Sequence, residues 1–279
     1  MKKPAFVTGG AAVCALALIV AGAATARPQA NTIRVAAAMD AAQEVPNPRG
    51  DVDDALGTFG ATVTRSGAGA DMRWNMVFSR LTGPAVAAHI HLGRPGDAGP
   101  IAVPLCSPCV NPENGTANVN AATLAALQNG GAYVNIHTGT NAGGEIRGQI
   151  AVTANISRRL TPGQEVPKPK GKVRRARGTF RGTVTKSGSS VELAWRLTFT
   201  RLTGRAIGAH IHLGAPGTTG RVVVALCGPC RSGVARTARL RPSVVEALED
   251  GLAYVNVHTR RNRRGEIRGQ IAAVPLSIP

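Results

Sequence analysis

The chain contains the same domain twice. QEVP at 43–46 returns at 164–167, RLTG at 80–83 returns at 201–204, AHIHLG at 88–93 returns at 209–214, and GEIRGQI at 144–150 returns at 265–271. Each pair is offset by 121 residues, so nothing has been inserted or deleted between these landmarks. A fold for this chain must therefore be one domain built twice. All six histidines fall into three pairs at that offset: His89 with His210, His91 with His212, His137 with His258. Cys106 and Cys109 pair in the same way with Cys227 and Cys230, and every aromatic beyond residue 26 does so too, Tyr133 with Tyr254 among them.

The N-terminus reads as an export signal. Lys2 and Lys3 precede an uncharged run from Val7 to Ala23, and Ala24-Thr25-Ala26 supplies a small-x-small cleavage site. This predicts a signal peptide over 1–26, a first domain over 27–151 and a second, strongly basic domain over 152–279. The mature protein is expected to be secreted or held in the cell envelope or periplasm. No later stretch is apolar for long enough to span a bilayer as a helix, so no transmembrane segment is expected in the mature chain.

Charge is what separates the copies. Residues 27–157 carry 8 basic and 9 acidic side chains, whereas residues 158–279 carry 23 basic and 6 acidic ones. The runs KPKGKVRRAR at 168–177 and TRRNRRGEIR at 259–268 create a positive field suited to an anionic cell-envelope polymer, extracellular nucleic acid or a phospholipid surface, or simply a solvated basic face. No stacking aromatics interleave these runs, so specific nucleic-acid recognition is not expected.

Period-2 alternation dominates the local pattern. Met72, Trp74, Met76 and Phe78 alternate with Arg73, Asn75 and Val77, and Phe59, Ala61 and Val63 form a second alternating run, with the turn between them at Ser66-Gly67. Further strands are expected around Val35 and over 86–92, 101–105, 132–138 and 145–152. Residues 120–129 read as a helix that stops at Gly130-Gly131. The fold class is therefore all-β: two tandem antiparallel sandwich or barrel domains, each with one short helix, joined near 151–153 with almost no linker.

Alternation also sorts the polar residues. Ala88, Ile90 and Leu92 take one side of their strand while His89 and His91 take the other. Val134 and Ile136 lie opposite Tyr133, Asn135 and His137, and Ile146 and Ile150 lie opposite Glu145, Arg147 and Gln149. The aliphatic sides make the core, so the remaining sides should gather one polar surface. In the second copy that surface comprises His210, His212, Tyr254, Asn256, His258, Glu266 and Arg268. Such residues can brace a sheet by hydrogen bonding to one another, contact a partner protein, or bind metal. Two imidazoles at i and i+2 with a third from a neighbouring strand suit copper or zinc.

Cys106-Ser107-Pro108-Cys109 and Cys227-Gly228-Pro229-Cys230 each follow a short apolar run. In an exported chain the expectation is disulfides, with duplication favouring one local bridge per domain over a cross-connection. CGPC at 227–230 also has the form of a thiol-redox motif, but that motif belongs at the start of a helix in a βαβ setting, and RSGVARTARL follows here. No nucleophile–base arrangement or phosphate-binding glycine fingerprint can be assigned.

The order QEVP, GTF, Trp, LTGPAVAAHIHLG, a cysteine-bearing loop, AYVNIHT and GEIRGQI resembles the CHRD (chordin) domain family, twice over. The resemblance implies a secreted β-sandwich module acting in extracellular binding or as a structural unit, with no catalytic residue to carry across. A weaker similarity joins His89-Ile90-His91, His137 and NAGGEIRGQI at 141–150 to the copper/zinc superoxide dismutases. It would make Arg147 an anion-guiding arginine, although a bridging histidine and zinc ligands have no counterpart. The reading that results is an exported, non-enzymatic binding or structural module whose partner is a protein or an anionic envelope polymer. The alternative is a copper or zinc module with a three-histidine site.

Overall fold

A computed structural model describes residues 31–278. The expected signal peptide at 1–26 lies outside the described residues. In the first copy the strands are β1 (Thr32–Asp40), β2 (Leu56–Ser66), β3 (Gly69–Ser79), β4 (Ala85–Leu92), β5 (Ile101–Cys106), β6 (Glu113–Val119), β7 (Ala132–Thr138) and β8 (Ile146–Gln149), with helix α1 (Ala121–Asn129) before β7. The second copy runs β9 (Ala151–Leu160), β10 (Arg177–Ser187), β11 (Ser190–Thr200), β12 (Ala206–Leu213), β13 (Val222–Cys227), β14 (Val234–Arg239), α2 (Pro242–Glu249), β15 (Ala253–Thr259) and β16 (Ile267–Ile271).

All these pairings are antiparallel. One layer of the first copy is β6-β3-β2-β1 and the other is β5-β4-β7-β8, with Asp40 of β1 facing Arg147 of β8 where the layers meet. The second copy repeats them as β14-β11-β10-β9 and β13-β12-β15-β16. Side chains of period 2 face inward from both layers: Met72, Met76 and Phe59 from one, Ile90, Ile136 and Ile146 from the other, all buried. Phe59 stacks on Trp74 with ring centroids 6.5 Å apart. Asn120 caps α1 by accepting a hydrogen bond from the Thr123 amide at 2.9 Å, and Gly130 ends it in the left-handed region, φ 67°.

Two strand expectations need correcting. The segment expected as one strand over 145–152 is two, because the chain leaves the β7 layer after Ile150 and β9 then pairs with β1. β6 was not expected at all: its inward positions are Gly115, Ala117 and Val119, too small to register as an apolar alternation. Gly115 is required there, since a Cβ would sit 2.8 Å from the Trp74 ring.

β9 joins the copies. Ala151–Thr153 pair with Ala36–Arg34 of β1, and Val152–Leu160 pair with Lys186–Gly178 of β10, so one strand belongs to both ladders. At the far end of the chain, the Ile278 amide donates to Gln128 Oε1 of α1 at 2.7 Å, tying the last residues back to the first copy.

Ile90 is fully buried between the two histidines of β4. Ile90→Ala should destabilise the first domain by roughly 2–5 kcal/mol through lost transfer energy and a cavity. A urea titration followed by tryptophan fluorescence reads this, because each domain has one tryptophan.

Candidate metal centre

β4 and β7 are neighbours, with His89 opposite Asn135, His91 opposite Tyr133, and Ala87 opposite His137. Three imidazoles therefore converge on one side of the sheet. One ring nitrogen from each of His89, His91 and His137 lies within 4.8 Å of the others, and His210, His212 and His258 repeat the arrangement. His91 and His137 are buried, as are His212 and His258, while His89 and His210 are half-buried at the solvent side.

Backbone carbonyls decide which nitrogens can coordinate. His91 Nδ1 lies 2.8 Å from the Gly99 carbonyl oxygen, and His137 Nδ1 lies 3.0 Å from that of Ala142. A carbonyl only accepts, so both Nδ1 atoms carry hydrogen, and in the neutral ring the Nε2 atom is the one that presents a lone pair. The second copy makes the same bonds, His212 to Gly220 at 2.9 Å and His258 to Arg263 at 3.0 Å. In the first copy His137 Nε2 meets His89 Nδ1 at 3.1 Å. Elsewhere the inward nitrogens lack a protein partner although buried: Nε2 of His91, His212 and His258, and Nδ1 of His210. A buried unpaired polar atom costs on the order of 1–3 kcal/mol, and four such nitrogens, one in the first copy and three in the second, need an explanation. Imidazole N–H groups braced by carbonyls, with bare nitrogens converging on a common point, form the outer-shell pattern of a metal site.

The GEIRGQ segment positions those carbonyls. Arg147 donates to the carbonyls of Asp97 and Arg94 at 2.8 and 2.9 Å, and Gln149 donates to that of Gly93 at 2.9 Å, which fastens the 93–100 loop carrying Gly99. The same guanidinium lies 3.4 Å above the Tyr133 ring, which stacks on His91, and the Tyr133 hydroxyl oxygen accepts a hydrogen bond from the Gly99 amide at 3.1 Å. Glu145 serves the other loop. Its carboxylate accepts from the Thr82 amide and hydroxyl, the Thr138 hydroxyl and the Asn141 amide group. Burial pushes Glu145 up, but hydrogen bonds from Thr138, Thr82 and Asn141 outweigh it and hold the carboxyl below its ordinary value.

Burial lowers His89, His137, His210 and His212, the other imidazoles adding repulsion in three of the four. His258 is held down at about 4, by burial first and His210 second. These rings stay neutral, as metal coordination requires.

The expectation of an open polar surface is corrected. Tyr133, Asn135, Glu145 and Arg147 are all buried, and so are Tyr254, Asn256, Glu266 and Arg268, because the 93–100 and 139–145 loops and their counterparts fold over them. Both arms of Arg147 are engaged, so the anion-guiding role implied by the dismutase similarity does not fit it; Arg268 is tied in the same way to Thr218 and Ala215. The sequence reasoning also missed Glu44 and Glu165, whose only signal was recurrence within QEVP. Glu165 is buried against Gly265 and accepts from Asn256 Nδ2 at 3.1 Å, and burial pushes its carboxyl up to about 7 despite the Val166 amide and Arg268. Each CxxC is a local disulfide, Cys106–Cys109 and Cys227–Cys230. Cys227 ends β13 and does not open a helix, so the redox-motif setting is missing.

A tandem antiparallel sandwich with a half-buried three-histidine cluster in each copy defines the class. The CHRD domain model matches residues 35–150 and again 156–271, and the chain belongs to the CHRD domain family. Such domains are modules of binding or structural kind. No curated protein and no solved structure matches the chain. Among the described residues, no helix is long and apolar enough to cross a membrane.

Glu165 gives a pH test. Its folded-state value near 7 exceeds the ordinary 4.5, so its contribution to stability is full below about 4.5 and is lost as pH rises through 7. Glu165→Gln should therefore match the parent near pH 4.5 and exceed it increasingly up to pH 7, with a constant gap above. Urea midpoints of both proteins across that range measure it.

Proposed function

We propose that this protein is an exported CHRD binding module in which each domain holds one transition-metal ion, copper in preference to zinc. The observation that carries this reading is the convergence of three ring nitrogens within 4.8 Å of one another in each copy, unpartnered and buried at His91, His210, His212 and His258 and bonded only to each other at His89 and His137. The ligands would be Nδ1 of His89 and Nε2 of His91 and His137, with His210, His212 and His258 serving in the same way. Three neutral imidazoles without thiolate or carboxylate suit copper and zinc, and at a given nitrogen site Cu²⁺ binds more tightly than Zn²⁺. The half-exposed edge at His89 and His210 supplies the way in.

The role is one of binding and not catalysis, since the arginine that the dismutase similarity would use is engaged by carbonyls. Export is supported by the N-terminal signal pattern and by two disulfides, which persist in oxidising compartments. The basic second domain supports an anionic envelope polymer as partner.

Purified mature protein, loaded with Cu²⁺ and dialysed, should retain two ions per chain by elemental analysis. His91→Ala should retain one, and His91→Ala with His212→Ala none. Absence of stoichiometric copper or zinc in the parent protein would overturn the proposal.

A further inference from the structure

The excess charge of the second copy is concentrated in part on one sheet face. The outward sides of β9, β10 and β11 carry Arg159, Arg177, Arg181 and Arg196, all exposed. At the same positions the first copy has Ala38, Leu56, Gly60 and Asn75. The register sets Arg181 directly opposite Arg196, with Thr179 opposite Thr198 in the next outward row and Arg159 opposite Thr179. The first copy also has two arginines on this face, Arg34 and Arg73, but Thr62 stands between them.

Directly opposed side chains on antiparallel strands have Cβ atoms about 4.5–5.5 Å apart, and like charges so placed destabilise the sheet. No acidic side chain relieves the pair: among the described residues neither the Arg181 nor the Arg196 side chain makes a hydrogen bond or ion pair, and the same holds for the side chains of Arg159 and Arg177. Thr179, Arg181, Arg196 and Thr198 together line a shallow cleft of about 270 Å³. Two guanidiniums around one hollow, flanked by the Thr179 hydroxyl and by a Thr198 hydroxyl that donates to the Thr179 carbonyl at 3.5 Å, form a cationic cup for a tetrahedral oxyanion.

We propose that this face binds a linear, phosphate-bearing polymer that lacks bases, with one phosphate group seated between Arg181 and Arg196 and neighbouring groups on Arg159 and Arg177. The inference rests on the reading of an anionic envelope polymer as partner and assigns it a surface. The hollows on this face are shallow and open, which suits successive groups of a chain better than one enclosed small molecule. No aromatic ring is exposed on the face, Trp195 being turned into the core, so a nucleic acid would find charge but no stacking platform.

The test uses labelled long-chain inorganic polyphosphate and the full mature protein, with fluorescence anisotropy at several salt concentrations. Arg181→Gln/Arg196→Gln should weaken binding at least tenfold near 0.1 M salt. It should also make the plot of log affinity against log salt shallower by about two, roughly one per phosphate-contacting arginine removed. Lys170→Gln/Lys172→Gln, in the loop preceding β10, serves as a charge-matched control that also exposes any effect of net charge alone. Failure of the parent protein to bind polyphosphate would remove the polymer partner altogether. Binding that survives in the arginine variant with an unchanged salt slope, or that falls equally in the lysine variant, would overturn the assigned face while leaving the partner standing. Tighter binding of single-stranded DNA than of polyphosphate, abolished in the arginine variant, would overturn the base-free polymer as occupant.

Discussion

Two peptide carbonyls per domain hold the centre of this molecule together. By accepting from Nδ1 of His91 and His137, the Gly99 and Ala142 oxygens set each ring's tautomer, its rotation and the direction of its free lone pair. Much of the polar framework exists to keep those oxygens still. Arg147 and Gln149 fasten the first loop, Glu145 and Asn141 fasten the second, and Tyr133 spans the space between an arginine and a histidine. The GEIRGQ segment is thus best understood as scaffolding one step removed from the imidazoles.

That division of labour accounts for an otherwise costly interior. A buried arginine, two buried glutamates and two buried asparagines in each copy would weigh against folding if left unpaired. Most are paired, and the carboxylate with four donors is the one held ionised, while the glutamate of QEVP has fewer donors and is pushed toward its neutral form. Apart from Trp74 Nε1 and Arg158 Nε, the buried groups that remain without partners cluster at the inward nitrogens and beside the QEVP glutamate. The fold ties one nitrogen of each buried histidine to a carbonyl and leaves most of the inward ones without a protein partner.

Much of this was legible in the chain. The offset of 121 residues required two equal domains, alternation identified most strands, and period 2 placed His89, His91 and His137 on a common side. Alternation divides a strand into two sides but does not say what lies above each. The loops over Tyr133 and Arg147 are short, irregular and rich in glycine, so nothing in their composition announced that they would bury a face taken for surface. Glu44 enters the centre from a segment about ninety residues before its asparagine partner, and no local spacing rule reaches that far. β6 escaped because an edge strand beneath a tryptophan must be lined with small residues, which blurs the hydrophobic signal.

The strand common to both ladders has a mechanical implication. Because β9 begins in one sandwich and ends in the other, there is no swivel between them, and the last residues latch onto the first helix from the opposite direction. Prising one half open would strip ladder partners from the other and leave a raw sheet edge of the sort that invites aggregation. Two copies that arose by duplication have in this way forfeited their independence: neither can be cut out, rotated or melted without cost to its twin.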